Sequence, residues 1–386
     1  MLNKYKKVSL LLLILLMSGL LAACGSSTKE AFPTPANNPN AGVIPLSTPG
    51  PVPGTKLNFP QDQAPHDLLS EWWYYTGHLN TTDGKRYGIQ FVIFQGIRAD
   101  FPVAYPSHFA IVDANNGTFK YDQKIVTKDR SQVKFGGTNG FDLRVEDWTL
   151  RGFNGEDKIK AKMSDGSYGI DITVKDVKGI SAHGGGQFSY GPAGSSYYYS
   201  RTRMAVSGTI SVGNEVKTVK DGNMWFDQQW GNFIPATTKW DWFSLQLDDQ
   251  SELMLYYLRD SENNLLQTFG TYIPPCEGAC TPNQLIKSYD VENKDFTIKP
   301  LEYWKSSQTG ANYPTAWQIE IKGSANIPAM SLTQKAVVKE AELITTATTG
   351  LSYWEGDMYI TGTKSGKPIK GSGYTELTGY TLTQNR

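Results

Sequence analysis

Four short segments set acids beside aromatic rings: Glu71-Trp72-Trp73-Tyr74-Tyr75, Trp225-Phe226-Asp227-Gln228-Gln229-Trp230, Tyr353-Trp354-Glu355-Gly356-Asp357 and Tyr374-Thr375-Glu376. A fifth, Tyr256-Tyr257, adds two phenols. A carboxyl group walled by indole and phenol rings loses hydration, so its pKa rises until it can hold or deliver a proton near neutral pH. Protonating an alkene or an enol needs such an acid, and aromatic faces ease the cation that follows. On this chemistry Asp227 and Glu355 are candidate acids and Tyr257 a candidate catalytic phenol. Trp72, Trp73, Tyr74, His108, Trp225, Gln228, Gln229, Trp230, Tyr256, Tyr353, Tyr374 and Glu376 are the candidate ligand-binding residues. The same segments also read as core aromatics whose acids hydrogen-bond to indole and phenol groups.

Other chemistries find little support. The chain has no G-x-S-x-G elbow, H-E-x-x-H pair, Gly-rich phosphate loop or EF-hand loop. Its histidines are His66, His78, His108 and His183, and none stands beside an evident nucleophile. No metal site and no cofactor are expected.

The elements that must position the acids are strands. Runs such as EWWYYTGHL, YGIQFVIFQ, HFAIVD, TRMAVSGTISV, WFSLQL and YWEGDMYITG are rich in β-branched and aromatic residues and are separated by Gly, Asn, Asp or Pro. In YGIQFVIFQ both alternating faces carry aromatics, which predicts a strand covered on two sides. The best helical run, Gln334 to Leu343, is short and alternates almost as well as it rotates. A mostly antiparallel β protein follows, with closed barrels favoured by the 39% hydrophobic and 12% aromatic content and a sandwich left open. No fixed-period repeat of the propeller or solenoid kind is visible.

The first residues have the order of an export signal. Lys4, Lys6 and Lys7 precede the apolar run Val8 to Leu21, and Ala22-Ala23-Cys24 follows, as a bacterial lipoprotein signal requires. Residues 1–23 are read as that signal and Cys24 as the lipidated first residue, holding an exported protein to the outer face of the cell membrane. Residues 24–56, rich in Pro, Ser, Thr, Asn and Gly, read as a disordered tether. Residues 1–23 hold three of the 37 Lys and Arg and none of the 37 Asp and Glu, so the rest is slightly acidic. Nucleic acid is an improbable partner for such a chain. Cys276 and Cys280, in PPCEGACTP, suit a disulfide in an exported protein; a metal pair is the less favoured alternative without a nearby histidine.

EWWYYTGHL, HFAIVD, YYYSRTRMAVSGTISV, WFDQQWG, PLEYWKSSQTGANYPTAWQIEI, YWEGDMYITG and GSGYTELTGY, in this order, resemble the AttH/CrtC group of lipocalin-like proteins. The resemblance runs from about residue 57 to the C-terminus. It implies an all-β fold of two tandem lipocalin-like antiparallel β-barrels, with 57–235 as the first and 236–386 as the second. That group includes carotenoid 1,2-hydratases and members described as secreted hydrolases. Its hydratase-like members carry Asp-His-x-Trp-Gly where this chain has Asp227-Gln228-Gln229-Trp230-Gly231, so the histidine's proton relay has no counterpart at Gln228. Two functions are expected: a hydratase or lyase acting on a hydrophobic unsaturated molecule, or a carrier of a lipid-like ligand. The expected state is a monomer, with the small molecule and the membrane as partners.

Overall fold

The computed structural model describes residues 56–189, 194–234, 238–260 and 262–381, and among these no α-helix occurs. The signal at 1–23, Cys24 and the tether up to residue 55 lie outside the described residues. The first sheet holds β1 (Ser70–Thr81), β2 (Arg86–Gly96), β3 (Val103–Asp113), β4 (Thr118–Lys128), β5 (Phe141–Val145), β6 (Trp148–Phe153), β7 (Glu156–Lys162), β8 (Tyr168–Asp176), β9 (Ile180–Ser189), β10 (Gly194–Val212) and β11 (Glu215–Phe233). The second holds β12 (Lys239–Leu247), β13 (Glu252–Arg259), β14 (Leu265–Ile273), β15 (Tyr289–Glu292), β16 (Phe296–Lys305), β17 (Asn312–Ile321), β18 (Met330–Ala336), β19 (Glu342–Thr345), β20 (Leu351–Lys364) and β21 (Lys367–Thr378). The run from Gln334 to Leu343, the best helical stretch of the sequence, ends one strand and begins the next.

The first sheet is ordered β4-β3-β2-β1-β11-β10-β8-β7-β6-β5 with β9 beside β10, and the second β15-β14-β13-β12-β21-β20-β18-β17-β16 with β19 beside β20. Both curl until their ends approach. β5 lies against β3 and β4, and the turn Asn293–Asp295 touches β14 and β16. Two barrel-like antiparallel sheets result, and in the middle of each path the first strand pairs with the last, β1 with β11 and β12 with β21.

The two orders are one path used twice, with β5 as the extra strand. Met204-Ala205-Val206-Ser207-Gly208-Thr209 on β10 matches Met358-Tyr359-Ile360-Thr361-Gly362-Thr363 on β20. A Cβ on Gly208 would stand 2.3 Å from the Asp171 carbonyl oxygen, and one on Gly362 2.1 Å from that of Ser331. Glycine at both places permits the same close approach of a neighbouring strand.

Period-2 alternation divides most of the apolar side chains among three cores, with Ala110, Leu343 and Tyr353 in a small fourth cluster. Trp73, Tyr75, Phe91, Phe226 and Trp230 fill the first barrel, and Phe243, Leu245, Trp317 and Trp354 the second. Tyr74, Val92, Phe188, Tyr198, Trp225, Trp242, Tyr256 and Tyr374 form a third core in the seam between them. Thus β2 is covered on both faces, as its two aromatic faces predict.

The seam is also polar. Fully buried Glu252 accepts from Lys178 and, at 2.6 Å, from Arg203, so β13 of the second barrel is tied to the first. Arg86 donates to Asp357 at 2.8 Å. The loop after β14 carries the disulfide Cys276–Cys280 and reaches across, with Ile180 N–H donating to Gln284 O at 2.8 Å and Ile286 N–H to Ile180 O at 2.9 Å. Within the first barrel Tyr199 donates to Gln228 at 2.6 Å, and Gln228 donates to Glu71 at 2.8 Å. Glu71 faces His66 Nδ1 at 2.9 Å, and the imidazole stacks on Trp230.

Two outcomes are expected. Replacing Glu252 by Ala strands the Lys178 ammonium in the seam and should lower the urea-unfolding free energy by about 3–5 kcal/mol; a loss under about 1 kcal/mol would remove the ion cluster as a joint between barrels. Burial by itself lowers the His66 pKa, but the Glu71 and Asp62 carboxylates overcome it and raise it to about 9. A raised imidazole pKa stabilises the fold fully below the ordinary value near 6.5, and that contribution fades as pH climbs through about 9. The difference in Tm between the wild type and His66→Asn should therefore shrink over this window, and a constant difference would exclude the ion pair as its source.

Candidate functional site

Residues two apart on neighbouring strands send their side chains into one cavity of about 180 Å³ in the seam. β1 supplies Trp72 and Tyr74, β11 supplies Asp227 and Gln229, β12 supplies Trp240 and Trp242, β20 supplies Tyr353 and Glu355, and β21 supplies Glu376 and Thr378. His108 of β3, Tyr198 of β10 and Tyr256 of β13 complete the deeper wall. Arg98, Phe101, Pro102 and Leu351 also line it, and Phe101 and Leu351 are partly exposed. Asp227 lies directly across from Tyr74 in the β1–β11 pair, and Glu376 across from Trp242 in the β12–β21 pair. The two acids thus occupy corresponding places in the two barrels and face each other's half of the seam.

Asp227 and Glu355, both buried, and partly buried Glu376 line this aromatic cavity, as does Glu71, which faces His66. Asp227 accepts from Tyr198 Oη at 2.7 Å, Trp225 Nε1 at 2.7 Å and Ser200 Oγ. Burial pushes its pKa up to about 7 against those three donors, which favour the ionised form. Glu355 is met by one donor, the Tyr74 hydroxyl, at 3.0 and 2.9 Å from its two oxygens. Burial, reinforced by Glu376 on the adjacent strand, holds it well above the usual carboxylate range. Glu376 is also pushed up to about 7 by burial, with the Trp240 side chain opposing and the Asp227 charge adding.

Asp227, Glu355 and Glu376 differ from the paired acids of the seam. Glu252 and Asp357 are matched by Lys178, Arg203 and Arg86, whereas these three meet hydroxyl and indole donors. A cation neutralises a buried carboxylate permanently; a hydroxyl leaves its proton occupancy open.

His108 supports the wall. Thr348 uses its hydroxyl hydrogen on Gln123 at 2.8 Å, so His108 donates to Thr348 through Nε2 and accepts from Tyr353 through Nδ1 at 2.6 Å. Burial lowers its pKa to about 3, and the ring is a neutral strut.

The structure brings Asp227, Glu355, Trp72, Tyr74, His108, Gln229, Tyr256, Tyr353 and Glu376 to the cavity. Trp225 and Tyr374 lie in the seam core beside it, Trp225 as a donor to Asp227. The other candidates fall on the wrong face of their strands. Trp73 and Trp230 pack inside the first barrel, and Gln228 points there too, bonded to Tyr199 and Glu71. Tyr257 alternates with Tyr256 and is directed to the second barrel, where it stacks on Phe296 and accepts from Ile298 N–H at 3.2 Å. The structure thus places the catalytic candidate Tyr257 and the ligand-binding candidates Trp73, Gln228 and Trp230 away from the seam cavity.

Sequence reasoning passed over Tyr198, Trp240 and Trp242, which line the cavity, and Ser200, which holds Asp227. Tyr198 and Ser200 stand in YYYSRTR, and Trp240 and Trp242 alternate in KWDWF. That period-2 indole pair was the available signal. Among the described residues no cluster of three or more His, Cys, Asp or Glu is arranged to hold a metal ion.

Comparison with known proteins agrees with this architecture. The AttH-like family model matches residues 50–380. Kievitone hydratase of Fusarium solani subsp. phaseoli is 23% identical over 319 residues, which are 79% of this chain and 81% of that protein. The crystal structure of an AttH-assigned protein from Nitrosomonas europaea is 28% identical, with a TM-score of 0.73 over 87% of this chain and 100% of that one. Kievitone hydratase from Nectria haematococca, 18% identical with a TM-score of 0.64 over 87% and 96% of the two chains, shares the fold. The family match begins before β1 and ends after β21, and the chain belongs to the AttH-like family.

Proposed function

We propose that the protein is a hydratase that adds water across a double bond of a hydrophobic small molecule held in the seam cavity. The observation carrying this reading is the set of three carboxyl groups without a cationic partner, Asp227 and Glu355 buried and Glu376 partly so, in an aromatic cavity. The similarity to a protein named as a hydratase supports the same class of chemistry.

The unequal support of the acids divides the work. Glu355, with one hydroxyl donor and a neighbouring acid, is held by burial toward its protonated form and delivers a proton to one alkene carbon. The positive charge that develops on the other carbon is eased by the faces of Trp72, Tyr74 and Trp242. Asp227, with three donors, is substantially ionised near pH 7 and takes a proton from the water whose oxygen bonds to that carbon. One proton leaves Glu355 and one reaches Asp227, so the alkene gains the elements of water, and proton exchange resets the pair. Exclusion of bulk water by the aromatic wall keeps the carboxyl groups at these pKa values.

A carrier for a lipid-like molecule would use the same cavity. Burying Asp227 and Glu355 without cations costs free energy that a passive apolar pocket has no need to spend, and this favours the catalytic reading. Anchoring through lipidated Cys24 at the outer face of the cell membrane, and action as a monomer on a lipid-soluble substrate, belong to the same proposal. They rest on the signal-like order of residues 1–24 and on the seam's apolar wall.

The test is incubation of the purified protein with a mixture of isoprenoid polyenes in oxygen-18 water, followed by mass spectrometry of the products. Wild type should give oxygen-18 alcohols, and Asp227→Asn and Glu355→Gln should each lose about 10²–10⁴-fold in rate. Turnover should fall as pH drops below about 7, where Asp227 takes up a proton. Retention of unmodified polyene alike by wild type and both variants would replace the hydratase by a carrier.

A further inference from the structure

Behind Asp227, away from the cavity, a line of buried polar groups crosses the seam. Asp227 Oδ1 accepts from Ser200 on β10, Ser200 Oγ lies 2.6 Å from His183 Nε2 on β9, and His183 Nδ1 lies 2.9 Å from Thr271 Oγ1 on β14. Ser200, His183 and Thr271 are fully buried. Hydrogen counting gives the line a direction when Asp227 is ionised. Ser200 has one hydroxyl hydrogen and uses it on Asp227, so its oxygen accepts from His183 Nε2–H. The imidazole then carries its hydrogen on Nε2, and Nδ1 accepts from the Thr271 hydroxyl.

We propose that Thr271, His183 and Ser200 form a directed hydrogen-bond chain that sets the proton occupancy of Asp227, with His183 as a positioning residue that does not touch substrate. Every donor in the chain points toward the carboxylate, and serial donors polarise one another, so the last bond to Asp227 is stronger than an isolated serine would make. His183 is suited to this because burial keeps it neutral, its pKa lowered to about 3. A neutral imidazole is donor on one side and acceptor on the other. Its ring also packs against Tyr198, the donor to Asp227 Oδ2, with centroids 4.3 Å apart.

The titratable groups around Asp227 are Tyr198 on β10, Tyr74 on β1, Tyr256 on β13, Glu355 on β20 and Glu376 on β21, with His183 behind Ser200. None of these is a cation at neutral pH, and hydrogen bonds are therefore what oppose the effect of burial on the carboxyl. The chain begins on β14 of the second barrel and ends on β11 of the first. Asp227 is thus tuned across the seam, and only the docked pair of barrels contains the whole line. This deepens the hydratase reading, on which only its kinetic consequence rests.

The experiment is infrared titration of the full-length protein, following the protonated-carboxyl band that disappears in Asp227→Asn. In Ser200→Ala the midpoint should rise by about one pH unit, because a donor to the ionised form is lost. In His183→Leu it should rise by less, and His183→Gln, whose amide can donate to Ser200 in place of Nε2–H, should return it toward wild type. If Ser200→Ala does not fold, Ser200→Cys, a weaker donor of similar size, carries the measurement. Unchanged midpoints in folded Ser200 and His183 variants would overturn the proposal. A midpoint that moves in a protein without turnover would uphold the chain and count against the hydratase reading alone; where turnover exists, its acid limb should follow the midpoint.

Discussion

Burial of the seam strands on both faces is the constraint on which the rest of this molecule depends. β1, β11, β12 and β21 each give one side to their own barrel and the other to the shared seam. Because successive side chains alternate, a slip of one residue would exchange Asp227 for Gln228 at the cavity and drive the acid into the first barrel's core. Register is pinned where backbones approach too closely for any side chain. A Cβ on Gly231 would lie 2.3 Å from the Ser195 carbonyl oxygen, and one on Gly77 2.2 Å from that of Asn223. These glycines flank the Asp227–Tyr74 pairing on its two sides, so the positions that fix strand approach also fix which residues face the cavity.

The same double burial explains the electrostatics. An acid in the seam is removed from water, and the structure answers in two ways. Glu252 and Asp357 are paired with lysine and arginine, which turns desolvation into a joint between barrels. Asp227, Glu355 and Glu376 are given hydroxyl and indole donors instead, so burial raises all three, and Asp227 alone has three donors that favour its ionised form. Carboxyls in unequal surroundings within one apolar enclosure are what separate proton donation and proton acceptance require.

The repeated strand path gives this arrangement its geometry. Each barrel pairs its first and last strands, and both pairs contribute side chains to the seam. Asp227 and Glu376 therefore meet as corresponding residues of two similar halves, each opposite an aromatic of its own first strand. The halves have diverged in what surrounds the acid. Ser200 is the cross-strand partner of Asp227, and Glu355 is that of Glu376. One half consequently supports an ionised carboxylate and the other crowds two acids together.

Strand content, antiparallel class, the two-sided burial of β2 and the association of acids with aromatics were all legible in the sequence, because each is a local property of composition and period. So was the family resemblance, whose motifs lie in order along the chain. The choice within each motif was not. Tyr256 and Tyr257, or Trp72 and Trp73, are equivalent as residue types, and only the placement of two barrels against each other decides which member faces the cavity. The Ser200–His183–Thr271 line joins positions 88 residues apart along the chain from first to last, on three strands of two sheets, and no spacing announces it. Sequence determined what each strand could bury; tertiary structure decided into which core each side chain went, because alternation offers two faces and only docking assigns them.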